Sequence, residues 1–309
     1  MKYFTIKVGM TGKTVCVYSV KRIEHSTQLA YNCRSGRGES MTSRQKIMAD
    51  REQYVVKAND LIRRTRYNLT AQQQKIVLYC ISKIKPEDEI NTQYEININD
   101  LAHACGLQID QSGTYYGALK RDLDKLTTRQ WCTMPDGVQM TISWIGDAII
   151  IPLNSTVYIR FNPNMQPYLF DLKEKYTQYQ LYNVLVFKGK YSIRLYELLR
   201  SYTTQRNLDD DKEAEINLTL DEVRLLLDIK GYDSWREFNR RVIAPAVNEI
   251  NRCADDIHVD FYPMKGERSR RIEKINFVIT KASPAQQVQA SKARKSRLDH
   301  INPYGVNDA

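Results

Sequence analysis

The segment SWREFNRRVIAPAVNEIN, residues 234–251, decides the fold, because it predicts one helix with two chemically different halves. Ser234 and Glu237 have the spacing of a capping box, which indicates a helix start. Pro245 follows two turns later and predicts a kink, since proline removes a backbone hydrogen bond from a helix. We therefore expect a polar front half and an apolar rear half that packs against the protein.

The front half has an apolar side and a basic side. At 100° per residue, Trp235, Phe238 and Val242 cluster together and are expected to face a core. The opposite side, with its flank, carries the residues that we predict to read bases: Arg236, Asn239, Arg240 and Arg241. Arginine pairs with guanine and asparagine with adenine in bidentate fashion, so this side has the chemistry for reading a major groove. The alternative is a solvated helix whose arginines only maintain solubility.

The neighbouring segments place this helix in a known arrangement. TLDEVRLLLDI, residues 219–229, predicts a short capped helix, and GYDS predicts the turn after it. DIHVDFYPMKGERSRRIEKINFVIT, residues 256–280, predicts two strands joined by a basic turn. A helix-turn-helix followed by a β-hairpin is the element order of a winged helix, in which the second helix enters the major groove.

The predicted wing has a cationic tip. Its positive residues are Lys265, Arg268, Arg270 and Arg271. Cations at a hairpin tip are suited to contacts with phosphates or with a minor groove. The alternative is a loop that charge merely keeps soluble.

The same order of elements occurs earlier in the chain. NLTAQQQKIVLYCISKI and YSIRLYELLRSYT both predict amphipathic helices, and each is followed by a strand containing EIN, at 95–97 and 215–217. A short helix, a second helix and strands follow in both halves. The sequence thus predicts an α+β fold of two tandem winged-helix domains that are related by a pseudo-repeat.

The first unit has weaker DNA-reading chemistry. Its second helix is predicted within SGTYYGALKRDLDKL, residues 112–126, and carries three cations, Lys120, Arg121 and Lys125. Its wing turn, MPDGV, contains no cation. We expect this unit to contact the DNA backbone more than the bases, or to face a protein partner.

The predicted boundaries divide the chain into four parts. Residues 1–40 form an extension with a hairpin at 3–23, residues 41–175 the first winged helix and residues 176–282 the second. Residues 283–309 are polar and basic and are expected to be a disordered tail. The six cysteines lack metal-ligand spacing and are expected to be reduced core thiols.

Composition narrows the classes of function. The formal net charge is +10, and residues 230–297 hold fifteen Lys and Arg against eight Asp and Glu, which indicates a polyanionic partner, nucleic acid first. No apolar run is long enough to span a membrane and no signal peptide is evident, so we expect a cytoplasmic protein. GMTGKT has the wrong glycine spacing for a phosphate loop. The four histidines are isolated, so we predict no metal, no cofactor and no enzymatic activity.

Residues 241–251 (RVIAPAVNEIN), NLTAQQQKIVLYCISKI and the two winged units together resemble the replication initiators of iteron-containing plasmids, over residues 54–282. The resemblance implies binding to direct repeats at an origin as a monomer, and repression of the protein's own promoter as a dimer. It also implies host partners: the chromosomal initiator, the replicative helicase and chaperones. It assigns base reading to Arg240 and Arg241, with Arg236 close by.

Two other functions remain open at the level of sequence. A transcriptional repressor with the same DNA-binding units would occupy DNA without opening it. A nicking initiator would need a metal or a cationic cluster beside its tyrosine nucleophile, which the sequence does not offer. Since nothing resembles a motor, we expect an initiator of this kind to open an adjacent AT-rich region with the energy of binding and bending.

Overall fold

The computed structural model describes residues 54–106, 114–133, 138–203, 213–266 and 270–299. The predicted extension at 1–40, with its hairpin and the GMTGKT segment, lies outside these ranges. Within the described residues, none of the helices is both long enough and apolar enough to cross a membrane.

The first half alternates short helices and strands. Its helices are α1 (Asn59–Arg63), α2 (Ala71–Ile81), α3 (Ile98–Cys105) and α4 (Thr114–Thr127). Its strands are β1 (Tyr54–Ala58), β2 (Tyr94–Asn97), β3 (Gln130–Thr133), β4 (Gln139–Ile142), β5 (Ile145–Ile151) and β6 (Thr156–Phe161). The start of α2 confirms the predicted capping box, since the Gln73 N–H donates to Thr70 Oγ1 at 3.2 Å and the Thr70 N–H donates to Gln73 Oε1 at 3.1 Å.

The second half follows the same plan, but its second helix of the helix-turn-helix is divided into two segments and a further helix follows its last strand. Its strands are β7 (Tyr176–Gln180), β8 (Ala214–Thr219), β9 (Ile257–Lys265) and β10 (Ile272–Lys281). Its helices are α5 (Leu181–Leu185), α6 (Lys190–Thr203), α7 (Leu220–Leu226), α8 (Trp235–Phe238), α9 (Ala244–Cys253) and α10 (Pro284–Asp299). A π-helical turn, Asn239–Ile243, connects α8 to α9.

The two halves contain equivalent antiparallel sheets, which confirms the predicted repeat. The strand order is β2-β6-β5 in the first sheet and β8-β10-β9 in the second. The two EIN segments lie in β2 and β8, where the isoleucines Ile96 and Ile216 are buried and their polar neighbours are exposed. This alternation is what a strand with one face on a core requires.

The wing of the first unit was predicted at the wrong hairpin. We placed its turn at MPDGV, but β3 and β4 on either side of that segment form a separate two-stranded sheet. The strands equivalent to the second wing are β5 and β6, joined by a 3-10 turn at Pro152–Asn154. Periodicity along the chain cannot reveal this, because strand pairing depends on partners that are distant in sequence.

Strand β1 pairs with β7, so the first described strand of the first half is joined to the first strand of the second half. Helix α6 packs against α1, α2 and α9, and one continuous core extends through both halves. Lys57 of β1 and Glu197 of α6 form a buried ion pair within this packing, with Nζ and Oε1 2.6 Å apart. The early part of each half is therefore joined to the other by this ion pair as well as by apolar contacts.

The tail prediction is wrong for residues 284–299, which form α10 instead of a disordered segment. Helix α10 packs against α9, and its Ala290 is fully buried. Arg294 contacts Asp255 at 3.0 Å and lies 4.3 Å from the centre of the Tyr182 ring. The segment looks polar along the sequence, but a small apolar stripe and one arginine find partners only in the tertiary fold.

Cys80, Cys105 and Cys253 are buried thiols, as the sequence predicts. Burial raises the pKa of the Cys80 thiol, which keeps it protonated and unreactive.

Candidate nucleic-acid interface

The turn GYDS joins α7 to the following helix and is held from α7. Gly231 adopts a φ of 93°, which favours glycine. Arg224 donates hydrogen bonds to the carbonyls of Tyr232 and Asp233, each at 3.1 Å. Ser234 then caps α8, as predicted. These hydrogen bonds hold the turn between the two helices of the helix-turn-helix in place.

We use the term recognition helix for residues 235–253, which comprise α8, the π-helical turn and α9. Its predicted apolar side is confirmed. Phe238 and Val242 are 0% and 1% exposed, and Trp235 is partly buried with its ring centroid 6.4 Å from that of Phe238. Burying these side chains fixes which side of the helix faces solvent.

The predicted base-reading residues fall into two groups. Arg236, Arg240 and Arg241 are exposed, as expected. Asn239 is only partly exposed, and its Oδ1 is enclosed and lacks a hydrogen-bond partner within the described structure. Our expectation that Asn239 would lie fully on the solvent side is wrong, because at 100° per residue Asn239 lies only about 40° from Trp235 and therefore borders the apolar side.

The π-helical turn is the structural consequence of Pro245. Proline has no N–H to donate to the carbonyl of Arg241, four residues earlier. The chain widens instead, and the Ala244 N–H donates to the carbonyl of Asn239, five residues earlier. Arg240 and Arg241 lie inside this turn. The predicted kink therefore takes the form of a local widening of the helix at two candidate arginines. Single π turns within helices are frequent at functional sites.

Glu237 holds both of these arginines. Its carboxylate accepts from an Arg240 guanidinium nitrogen at 3.0 and 3.1 Å and from Arg241 Nε at 2.7 Å. Hydrogen bonds from Arg241 and Arg240 keep the pKa of the Glu237 carboxyl below its usual value. The three side chains thus form a fork on the exposed surface, which the sequence did not predict.

The NEIN ending of the recognition helix, residues 248–251, positions it within the unit. Glu249 accepts hydrogen bonds from the backbone N–H groups of Lys188 at 2.8 Å and Gly189 at 3.0 Å, just before α6. Asn251 exchanges two side-chain hydrogen bonds with the backbone of Val259 in β9, both 2.8 Å long. This motif therefore acts on the scaffold: it ties the helix to α6 and to the first strand of the wing.

The cations predicted at the wing are exposed wherever they fall within the described residues. Lys265, Arg270 and Arg271 are exposed, and the turn is closed by a hydrogen bond from the Gly266 N–H to the Arg271 carbonyl at 3.1 Å. Arg268 lies outside the described residues. Tyr262 and Met264 add exposed apolar side chains to the same strand, a feature that the sequence analysis missed.

Helix α4 presents the three cations predicted for the first unit. Leu119, Leu123 and Leu126 are buried. On the other side of the helix, the exposed cations are Lys120, Arg121 and Lys125. An amphipathic helix with a cationic outer side can approach a phosphate backbone.

Strand β5 is an edge strand of the first sheet and carries exposed apolar residues. Ile149, Ile151 and Leu153 are 52%, 37% and 99% exposed, Leu153 lying in the turn after the strand. An exposed apolar edge strand is unusual on a monomer, because its unpaired backbone groups are a template for pairing. A run of isoleucines next to a turn is the signal that could have identified it.

The described residues contain no group of three or more His, Cys, Asp or Glu side chains that could hold a metal ion. The chemistry that these ranges do offer is cationic and hydrogen-bonding, and it is concentrated on the recognition helix, the wing and α4.

Known proteins share this arrangement. A family model described as "Initiator Replication protein, WH1" matches residues 54–200, and one described as "Initiator Rep protein, WH2" matches residues 219–279. The first range contains β1 to α5 and most of α6, and the second runs from the last residue of β8 through most of β10. The two family models thus match in the order in which the two winged units occur.

A curated "Replication initiation protein" of Escherichia coli is 29% identical over 208 residues, covering 65% of this chain and 62% of the relative. The chain thus spans less than two thirds of the length of that relative. A solved structure described as "Crystal structure of Pi initiator protein in complex with iteron DNA" matches with a TM-score of 0.61 at 18% identity, covering 75% of this chain and 99% of that one, which shows a shared fold. With both family models matched in order on two winged-helix units, this chain belongs to the family of initiator replication proteins.

Proposed function

We propose that this protein is a plasmid replication initiator that binds direct-repeat DNA at an origin. The observation that carries the proposal is the recognition helix, in which the exposed Arg240 and Arg241 lie in a π-helical turn while Glu249 and Asn251 fix its rear half to the scaffold. In this assignment Arg236, Arg240 and Arg241 read bases in a major groove.

The other cations serve the backbone. Lys265, Arg270 and Arg271 of the wing contact phosphates or a minor groove, and the cations of α4 contact phosphates from the first unit. The net charge of +10 favours this partner. The family membership and the likeness in fold to an initiator solved with iteron DNA support the same assignment.

Initiation adds a step beyond binding. Several copies on adjacent repeats bend the DNA, and bending one site costs on the order of 1–6 kcal/mol, offset by added contacts. We propose that this strain helps to open a neighbouring AT-rich tract and that host replication proteins, the chromosomal initiator and the helicase among them, are recruited there. On this proposal the chain has no enzymatic activity of its own.

A second copy of this chain is the partner that we propose for β5. Antiparallel pairing of two β5 edges would complete the backbone hydrogen bonds of both strands and cover Ile149, Ile151 and Leu153. A dimer built on a two-fold axis suits an inverted repeat, as in repression of the protein's own promoter, whereas a monomer suits direct repeats. Replacing Ile149 and Ile151 with Lys should shift sedimentation toward the monomer; an unchanged dimer would reject this interface.

Permanganate footprinting on a supercoiled plasmid with its cognate repeats tests initiation. We expect reactive thymines in the adjacent AT-rich tract without ATP, or with host initiator alone, and an uncut backbone. Tight binding without reactivity under either condition favours a winged-helix repressor. A nicked strand joined to a tyrosine would establish a nicking initiator and overturn both assignments.

A further inference from the structure

The start of the recognition helix differs from the other helix starts of its type. Within the described chain, four helices begin after a Ser or Thr that is followed three positions later by Glu or Gln. In three of them the pair forms both hydrogen bonds of a capping box: Thr70 with Gln73, Thr219 with Glu222, and Ser283 with Gln286. At the fourth, Ser234 accepts from the Glu237 N–H at 3.3 Å. There the carboxylate of Glu237 turns to the arginines instead of returning to the cap.

This choice is not made for helix stability. Glu237, Arg240 and Arg241 have side chains that are 41%, 61% and 50% exposed, and ion pairs at such positions contribute little to folding. Arg241 also lies 5.5 Å from the centre of the Tyr232 ring. The two guanidinium groups are thus held in a defined place on the helix surface, at the cost of a capping hydrogen bond that the other helices keep.

We infer that Glu237 is a specificity-determining residue that holds Arg240 and Arg241 until a base edge offers a better acceptor. The inference rests on the proposed base-reading role of these arginines. Guanine offers two acceptors in the fork geometry of a guanidinium, so the correct sequence can replace the carboxylate. Incorrect DNA offers mainly phosphates. To bind them, the arginines would have to give up their hydrogen bonds to Glu237 without gaining a pair of base acceptors in return. The carboxylate therefore lowers affinity for incorrect DNA more than for the correct site.

The test compares two duplexes of equal length across a salt series. One is the duplex that the wild-type chain selects from a random library, and the other has random sequence. Glu237→Gln removes the charge and weakens the fork, so one further phosphate contact becomes available on random DNA. We expect the salt slope on random DNA to steepen by about 0.9, equivalent to roughly eightfold tighter binding at about 0.1 M salt. The ratio of selected to random affinity should fall accordingly.

A second variant separates geometry from charge. Glu237→Asp keeps the negative charge but is one methylene shorter, so one carboxylate no longer reaches both arginines as Glu237 does. We expect the ratio to fall for this variant too. Asp60→Asn is the matched control, because Asp60 is an exposed helical acid of the first unit that pairs with Arg64, four residues on, at 3.8 Å. It should leave the ratio unchanged, and thermal melts should show all three variants folded.

Three results would overturn the inference. The first is a ratio that neither Glu237 variant changes. The second is an equal gain on both duplexes with Glu237→Gln while Glu237→Asp behaves as wild type, which would mean simple repulsion of DNA. The third is an Arg240→Ala, Arg241→Ala double variant with the wild-type ratio, which removes the base-reading role as well. If that double variant lowers the ratio and the Glu237 variants do not, only the inference about Glu237 fails.

Discussion

The carboxylate of Glu249, near the end of the recognition helix, accepts a hydrogen bond from the backbone N–H of Gly189 at 3.0 Å. Gly189 precedes α6, and a Cβ there would lie 3.1 Å from Glu249 Oε2 and 2.6 Å from Ser192 Oγ, so a side chain at this position would displace one or both of these groups. A negative charge at the start of a helix also interacts favourably with the positive end of the helix dipole. This contact couples the placement of the recognition helix to the start of α6, which packs against α1, α2 and α9.

Replacing Glu249 with Ala should destabilise the protein by about 1–3 kcal/mol, because two backbone N–H groups at the start of α6 lose a charged acceptor. Chemical denaturation measures this directly. The matched control is Glu215→Ala in β8, an exposed acid whose loss should change the free energy of unfolding by less than about 0.5 kcal/mol. Equal effects of the two substitutions would contradict a special role for Glu249.

Replacing Arg240 with Ala should cost about 1–3 kcal/mol on the selected site and relax the preference at one base pair, since a bidentate contact is lost. Binding selection followed by sequencing measures the preference. Arg252→Ala, which removes the same charge from the rear of the recognition helix, should leave the preference intact. A base preference that survives Arg240→Ala unchanged would argue against base reading by this residue.

Replacing Arg270 and Arg271 together with Ala should weaken binding to all sequences alike and flatten the salt slope by about 1.8, or about 0.9 for each lost phosphate contact. A salt titration on the selected and random duplexes measures the slope. Lys85→Ala with Lys173→Ala, two exposed cations of the first unit, provides the charge-matched control. Weakening confined to the selected duplex, with the slope intact, would show that the wing reads bases.

The buried pair of Lys57 and Glu197 should make the free energy of unfolding depend on pH in the acid range. Burial alone would raise the pKa of Glu197, but the charges of Lys57 and Arg194 outweigh burial and lower it. A carboxyl whose folded pKa is below its unfolded value contributes stability above the unfolded pKa and loses it as pH falls through the folded pKa. We therefore expect the free energy of unfolding to decline as pH drops below about 4.5.

Glu197→Gln should reduce this acid dependence and destabilise the protein at neutral pH by about 3–5 kcal/mol, because Lys57 then keeps a buried charge without its partner. Lys57→Met combined with Glu197→Leu removes both charges and should cost less than Glu197→Gln alone. Denaturation at a series of pH values checks both statements. A double variant that is less stable than the single one would mean that the pair itself stabilises the fold.

Sequence by itself determined the features that depend on near neighbours along the chain. The capping boxes of α2 and α7, the buried side of the recognition helix and the recurrence of EIN in two equivalent strands all follow from spacings of three, four or two residues. The family resemblance could be recognised for the same reason, since the NEIN ending and the helix with Thr70 are continuous segments. The exposed arginines follow from this local periodicity as well.

Only the tertiary structure decided the features that depend on distant partners. Which hairpin becomes the first wing depends on the pairing of β2 with β6, and the order of α10 depends on Asp255 and on the surface of α9. Periodicity also could not show that the strain at Pro245 is relieved as a π-helical turn, or that Glu237 leaves its cap for two arginines. In each case a group could bond to or pack against more than one partner. Which partner it takes depends on the three-dimensional positions of both, and these are not given by spacing along the sequence.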